Sequence, residues 1–273
     1  MMDMTLTTNE FQQIQSLLYQ KAGITLTEQK QTLIVSRLSK RIRHLGLPSF
    51  QAYYDLVVNG VDSGELTQML DLLSTNKTDF FREPVHFEFL KAQIIPTLSP
   101  SKHIRIWSSA SSSGEEPYSI AMTLLDAVPD PSQWNCKILA SDLSTRVLAK
   151  AARGVYEDER VLNLPPEMVK RHFLRGNGGQ RGYVKVKPKV RQMVIYRRIN
   201  LMDESFPIQS LLDVIFCRNV MIYFDRPTQA KLMAKFFRYL KPGGYLFIGH
   251  SESLQWIDHP FTYVAPTIYR KSV

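Results

Sequence analysis

Apolar and polar positions follow two different patterns along this chain. Over the first 75 or so residues the apolar side chains recur at helical spacing. The segment "TNEFQQIQSLLYQKAG" offers Thr8 or Asn9 with Gln12 or Gln13 as a capping box and closes on Gly23, so it predicts a helix. "TEQKQTLIVSRLSKRIRHLG" repeats the design. Leu33, Val35, Leu38, Ile42 and Leu45 fall on one side, and Arg37, Lys40, Arg41 and His44 fall largely on another. Gly46 ends this helix and Pro48 prevents its resumption. "SFQAYYDLVVNG" and "SGELTQMLDLLSTN" predict two further short helices.

From about residue 84 buried strands alternate with helices. "HIRIWSS" predicts a strand, followed by the helix "EEPYSIAMTLLDAV"; "CKILASD" predicts the next strand, followed by the helix "LSTRVLAKAARGVY". "MVIYRRIN", "LLDVIFCRN" and "GYLFIGHS" read as strands, "RPTQAKLMAKFFRYLK" as a helix, and "YVAPTIYRK" as the strand that ends the sheet. Such alternation implies an α/β fold, a parallel sheet with helices on both faces. Ligands bind at the carboxyl ends of its strands, where the strand order switches. One segment breaks the rhythm. "RHFLRGNGGQRGYVKVKPKVRQ" combines a Gly-rich turn with strand alternation and predicts a small antiparallel hairpin inserted in the α/β domain. Its glycines miss the GxGxxG spacing and no helix follows, so they are not a phosphate loop.

Length and composition narrow the class. A chain of 273 residues with 44% apolar content suits one or two globular domains. It has no run of 18 apolar residues, and "MMDMTLTTNEFQQ" lacks the marks of a secretory leader, so no membrane span or leader is expected. Cys136 and Cys217 sit in apolar runs and read as buried free thiols in a reducing cytoplasm. With no CxxC and no HExxH, no metal site is expected. Net charge is +9 and unevenly placed. No acid stands between Glu28 and Asp55, where Lys30, Arg37, Lys40, Arg41 and Arg43 do. Another acid-free block runs from Glu167 to Asp203. Two such blocks favour an acidic partner over a merely solvated surface.

The candidate chemistry lies at strand ends. "WSSASSSGEEPYS" resembles a flexible linker, yet a buried strand precedes it and an apolar helix follows. Small residues at such a crossover allow close backbone approach by a cofactor. Glu115 and Glu116 open the helix, as caps or as carboxylates for a cofactor amine or hydroxyl. Asp142, ending the second strand, is either a ribose acceptor or an N-cap. Arg218-Asn219 emerge where a later strand ends at Cys217, followed by Tyr223 and Asp225. No GxxxxGK[ST] pattern is present, and "GHSES" departs from the GxSxG nucleophile elbow. "STNKTDFFREP", Ser74 to Pro84, joins the helical part to the α/β part. It is polar but anchored by Phe80-Phe81, a composition that can wall a site at a domain junction.

Taken together, "STNKTDFFRE", "RIWSSASSSGEEPYSIAM", "ASDLSTRVLAKAARGVY", "VIFCRNVMIYFD" and "LKPGGYLFIGHSESL" resemble, in order and spacing, the bacterial chemotaxis receptor methyltransferases, the CheR family. "AGITL" and "SRLSKRIRHLG" extend the resemblance into the helical part. It implies a Rossmann-like S-adenosylmethionine-dependent methyltransferase sheet with a small antiparallel β-subdomain and an all-helical N-terminal domain. The expected boundaries are 1–75 for the helical domain, 76–90 for an active-site linker and 91–273 for the methyltransferase domain, with the insertion at about 160–191. The implied reaction moves a methyl group from S-adenosylmethionine to glutamate side chains of chemoreceptors, leaving S-adenosylhomocysteine. By this resemblance Asn76, Thr78 and Arg82 contact the cofactor from the linker, and Glu116, with Glu115 as the alternative, lies beside its methionyl part. Asp142 holds the ribose, Asn200 and Leu201 flank the adenine, and Cys217, Arg218 and Asn219 close the strand-end wall. Arg82 and Tyr223 come nearest the transferred methyl, and Arg37, Lys40, Arg41 and Arg43 dock the acidic receptor helices.

The implied partners are the cytoplasmic domains of chemoreceptors, a receptor C-terminal peptide at the β-subdomain and a regulatory adaptor, at cytoplasmic receptor arrays. Neither nucleic acid nor membrane insertion is implied. A nucleic-acid methyltransferase suits the basic patches but commonly carries a [DNS]PP[YFW] run, and "RNVMIY" has no proline. A non-catalytic module on the same fold is the rival from another class. Relatives usually read like "WSAGCSTGEEPYS"; here Ser109, Ala110, Ser111 and Ser113 replace Ala, Gly, Cys and Thr. If position 110 requires positive φ, alanine there costs about 1 kcal/mol.

Overall fold

The computed structural model describes residues 5–60, 64–74, 77–98, 100–128 and 130–272. Four helices form the N-terminal part: α1 (Thr8–Ala22), α2 (Gln31–His44), α3 (Phe50–Asn59) and α4 (Gly64–Leu73). The capping box of α1 lies one residue earlier than the sequence suggests. Thr7 caps the backbone of Glu10, and the Glu10 carboxylate accepts from the Thr7 N–H at 2.8 Å. Glu10 is used again by α3, accepting the Gln51 N–H at 2.8 Å. Ile14, Leu18, Ile34, Leu38, Ile42, Phe50, Tyr53 and Met69 close one apolar core for this domain. Among the residues expected to line α2, Leu33, Val35 and Leu45 are only partly buried, and Ile34 takes a central place.

Residues 85–98 continue as one helical run, α5 (Val85–Phe89), a π-helical turn and α6 (Ile95–Leu98). The sheet begins with β1 (His103–Ser108), followed by α7 (Glu115–Ala127), β2 (Asn135–Asp142) and α8 (Thr145–Arg153). Helix α8 stops earlier than its apolar pattern suggests. Gly154 caps it at φ 62°, and "VYE" turns into the strand β3 (Val155–Glu157). After α9 (Pro166–His172) come β4 (Phe173–Arg175) and β5 (Tyr183–Val186). β3, β5 and β4 pair antiparallel in that order, so the expected hairpin is a three-stranded sheet that starts at 155 rather than near 160.

The remaining elements are α10 (Pro188–Arg191), β6 (Val194–Arg198), β7 (Leu212–Cys217), α11 (Arg226–Tyr239), β8 (Leu240–Ile248), β9 (Phe261–Ala265) and β10 (Ile268–Lys271). The main sheet has the order β6-β2-β1-β7-β8-β10-β9. The first five strands are parallel; β10 and β9 close the sheet antiparallel, two strands where the sequence suggests one. Strand β7 is buried along its whole length, which explains its unbroken apolar run. Val214 and Phe216 pack with α5 and α7 on one face, and Ile215 and Cys217 with α11 on the other. Order reverses at β1, between β2 and β7, and the carboxyl ends of these strands open there. Among the described residues no helix is long and apolar enough to cross a membrane.

Two cations expected on a free face of α2 are instead structural. Arg37 donates to the carbonyls of Leu72, Leu73 and Ser74 at 2.9–3.2 Å and so caps the end of α4. Arg41 grips Glu65 with two bonds, at 3.1 and 2.7 Å, and Tyr53 donates to the same carboxylate at 2.9 Å. The Arg41 bond, opposed by burial, holds the Glu65 carboxyl below its ordinary value of 4.5. Its stabilisation is therefore full above that value and is lost as pH falls through the lowered one. Glu65→Gln is expected to cost about 1–3 kcal/mol at neutral pH, a charge-assisted bond partly open to solvent. Urea unfolding should show the gap to the parent closing toward pH 3; a gap constant from pH 7 to 3 refutes the account.

Candidate active site

The serine run is an ordered turn. Ser109 donates its N–H to the Phe216 carbonyl at 2.9 Å, tying the end of β1 to β7. The Ser111 N–H bonds the Ser141 carbonyl at 2.8 Å and ties the same turn to β2. The Ser108 hydroxyl donates to Glu116 at 2.7 Å, and that of Ser113 to Glu115 at 2.7 Å. Gly114 stands at φ 99°, where an added Cβ would lie 2.8 Å from the Ala151 methyl and 2.9 Å from the Tyr156 hydroxyl. Ala110 is not among the described non-glycine residues of positive φ, so it carries no such strain. The strained position is Ser112, at φ 47°, whose N–H donates to Asp142 at 2.9 Å.

Asp142 accepts that bond on one oxygen and the Ser144 N–H, at 3.0 Å, on the other. Each oxygen keeps acceptor capacity, the property a ribose acceptor requires. Burial raises the Asp142 carboxyl above its ordinary value, against the N–H groups of Ser144, Ser112 and Leu143. Burial likewise raises Glu116, against the Arg218 guanidinium and the Ser108 hydroxyl.

The linker is fastened through Glu83, to which the sequence reading assigns no role. Arg218 donates to Glu83 at 2.9 Å, to Glu116 at 3.0 Å and to the Arg82 carbonyl, and its guanidinium lies 5.7 Å from the centre of the Phe87 ring. Asn219 and the His250 N–H also bond Glu83, each at 3.2 Å. Burial opposes ionisation of Glu83, but Arg218 and these donors outweigh it and hold the carboxyl below its ordinary value. Burial, with Arg218 beside it, pushes the neighbouring His86 down to about 3, so its imidazole is neutral. The loop after β7 is held by Glu252, which accepts the N–H groups of Gly249, Asn219, Val220 and Met221 at 2.6–2.9 Å. This is the role of "GHSES": its carboxylate, not its serine, does the structural work.

A cleft at the strand ends gathers most of the expected residues. Thr78, Arg82, Glu116, Asp142, Asn200, Leu201, Arg218, Asn219 and Tyr223 all line it. Asn76 lies outside the described residues. Cys217 does not line the cleft; it is fully buried in the core beside α11 because strand alternation turns it away from Phe216's face. Burial raises its thiol, and pushes the partly buried Cys136 up to about 11, so both are inert as nucleophiles at neutral pH. Lys40 and Arg43 remain exposed on α2.

Pattern reading does not anticipate the roof. Ile24, Thr25, Leu26, Lys30 and Leu33 of the N-terminal domain face the cleft. The Thr25 N–H bonds the Tyr223 carbonyl at 2.8 Å, Asn200 donates to the Lys21 carbonyl at 2.6 Å, and Tyr19 donates to Asp225 at 2.9 Å. Gly23 is required here: at φ 68°, an added Cβ would lie 2.3 Å from the Met202 sulfur. On the opposite rim, Arg160 from beside β3 pairs with Glu115 at 2.7 Å and Asp79 at 3.1 Å and also bonds the Thr78 carbonyl.

Comparison with known proteins agrees with this geometry. Residues 76–270 match the family model described as CheR methyltransferase, SAM binding domain, and residues 9–74 match CheR methyltransferase, all-alpha domain. The chemotaxis protein methyltransferase of Escherichia coli is 42% identical over 263 residues, covering 96% of this chain and 90% of that protein. Chemotaxis protein methyltransferase 2 of Pseudomonas aeruginosa is 44% identical, with 96% and 93% covered. The chemotaxis protein methyltransferase of Borreliella burgdorferi is 40% identical, with 99% and 97% covered. With both domains matched along nearly their whole length, the chain belongs to the CheR methyltransferase family.

Proposed function

We propose that this chain esterifies glutamate side chains on the cytoplasmic domains of chemotaxis receptors, giving glutamate 5-O-methyl esters. The chain is a methyltransferase of chemotaxis adaptation, and its cofactor is S-adenosylmethionine, with S-adenosylhomocysteine as product. The observation that carries the glutamate reading is the placement of charge in the cleft, where the acids Glu116 and Asp142 stand at the strand ends and three cations stand on the side of the linker and the helical domain. Lys30, Lys77 and Arg82 line it from the helical domain and the linker, while Asp79 on the same wall is paired with Arg160. An anionic side chain is drawn to such a mouth.

The residues present fit the cofactor. Ser109, Ala110 and Ser112 keep one wall small, Asp142 offers the ribose acceptor, and Glu116 offers a carboxylate to the methionyl ammonium. Asn200 and Leu201 would flank the adenine, Thr78 and Arg82 would close the linker side, and Arg218 with Asn219 would close the strand-end wall. S-adenosylmethionine supplies a methyl group already activated by its sulfonium. A glutamate carboxylate, of ordinary pKa near 4.3, is ionised at neutral pH and needs no general base. The protein's task is then alignment and exclusion of water. Arg82, half-buried, holds one carboxylate oxygen, and Tyr223 donates a hydrogen bond close by.

Lys40 and Arg43 form the receptor-facing charge of α2, now without Arg37 and Arg41. A receptor C-terminal peptide would add to an edge of the small sheet, β3 or β4. We place the enzyme in the cytoplasm, gathered at receptor arrays by its substrate.

Incubation with methyl-labelled cofactor and acidic receptor fragments is expected to leave base-labile label on the receptor; base-stable label, or label on added DNA instead, refutes glutamate esterification. Arg82→Ala is expected to cut transfer at least 100-fold, about 3 kcal/mol, while cofactor affinity falls less; unchanged turnover removes Arg82 from the reaction. Because burial raises Asp142 and Glu116, cofactor affinity should be full at high pH and decline on acidification from above the ordinary carboxylate range. Asp142→Asn should weaken binding by about 10- to 100-fold at neutral pH. Calorimetric titrations from pH 8 to 5 that show no slope, with Asp142→Asn equal to the parent, contradict both roles.

A further inference from the structure

Sequence spacing predicts no metal site, but folding brings three ligand-type groups together from 167 positions apart. The Glu83 carboxylate lies 3.7 Å from His86 Nδ1 and 4.0 Å from His250 Nε2, and the three ligand atoms all fall within 4.8 Å of one another. His86 is fully buried, and its Nδ1 has no hydrogen-bond partner among the described residues. Its other nitrogen settles the tautomer. Thr267 Oγ1, with one hydrogen, lies 2.6 Å from the Pro266 carbonyl, to which it donates. It therefore accepts from His86 Nε2–H at 2.7 Å. The Nδ1 lone pair is then free, 3.7 Å from the Glu83 carboxylate. The ring is further fixed edge-on against Phe247 and His250. His250 is half-exposed and gives the cluster access to solvent.

A metal-binding histidine has its distal N–H held by an acceptor in this way, with the other nitrogen left as a lone pair. Two imidazoles and one carboxylate suit a borderline divalent ion and not magnesium or calcium, which prefer oxygen ligands. In a tetrahedral zinc site the ligand atoms stand about 3.3 Å apart. The two carboxylate–imidazole spacings exceed this by about 0.4 and 0.7 Å and the imidazole–imidazole spacing by up to about 1.5 Å, so binding requires the half-exposed His250 to close on the other two. The fourth position would face solvent.

We propose that Glu83, His86 and His250 form a binding site for a divalent transition-metal ion of the zinc class, which restrains turnover by drawing Glu83 away from Arg218. The oxygen that faces both histidines is the one that accepts from Arg218 at 2.9 and 3.3 Å. A dication there repels the guanidinium, and Arg218 also anchors Glu116 and the Arg82 carbonyl at the cleft wall. Metal occupancy and an intact wall therefore oppose each other, and the coupling is reciprocal. The binding half stands on the cluster alone; the restraining half rests on the proposed reaction.

Co²⁺ titration of the purified full chain tests the binding half without an activity assay. One equivalent should give a visible d–d absorption that Zn²⁺ displaces, and His250→Ala, chosen because that side chain is half-exposed, should abolish it with circular dichroism unchanged. No absorption at millimolar Co²⁺, or an absorption that survives His250→Ala, overturns the site. For the restraining half, Zn²⁺ should slow methyl transfer at least fivefold relative to chelator-treated protein, with the effect lost in His250→Ala. Co²⁺ binding at the cluster with equal rates in Zn²⁺ and chelator overturns the restraint. An absence of transfer under both conditions, with the absorption present, contradicts the proposed reaction and leaves the metal site standing.

Discussion

Arg218 is a cation with 2% of its side-chain surface exposed, and the active region is organised around neutralising it. Removing such a charge from water costs several kcal/mol unless paired groups compensate. Here two carboxylates, a carbonyl and an aromatic face do so. They come from three parts of the chain: Glu83 and the Arg82 carbonyl from the linker, Glu116 from the first turn of α7, Phe87 from α5. One desolvated charge thereby fixes the linker, the strand-end loop and α7 relative to one another. The same network holds backbone strain. Phe81, Glu83 and Asn219 stand at φ 52°, 58° and 58°, conformations that persist only where the surroundings over-determine them.

The cleft is a product of two domains. The sheet supplies acids at the ends of β1 and β2, and the α1–α2 loop supplies a roof with a cation at its edge. Docking of the roof depends on backbone contacts: the Thr25 N–H to the Tyr223 carbonyl, and Asn200 to the Lys21 carbonyl. Gly23 permits the close approach over Met202. The helical part is therefore a wall of the catalytic site as well as a carrier of positive charge.

Much of this was legible in the chain, and the reason differs from residue to residue. Asp142 and Arg218-Asn219 stood out because a buried strand ended and polar residues emerged, the usual place for chemistry in an open α/β sheet. The serine run declared itself by its flanks. Lines of sight failed where contacts are distant. No periodicity shows that Thr25 meets Tyr223, or that Glu252 receives four N–H groups from two loops. Arg37 and Arg41 lie on the polar face of α2 as the pattern indicates, yet carbonyls and a carboxylate on α4 occupy them. β3 was hidden because apolar Val155 and Tyr156 continue the spacing of α8 past Gly154, whose left-handed conformation is what stops the helix.

Arg160 gives the small sheet a mechanical role. Its guanidinium is a rivet through three parts: the β-subdomain that carries it, the linker at Asp79 and Thr78, and the buried Glu115 beneath the serine turn. Beside it the Tyr156 hydroxyl donates to the Ser113 carbonyl at 2.7 Å, and Phe80 of the linker packs edge-on against Tyr156 and Phe173 of the small sheet. The small sheet and the lip of the cleft are therefore stabilised together, and loosening either one loosens the other.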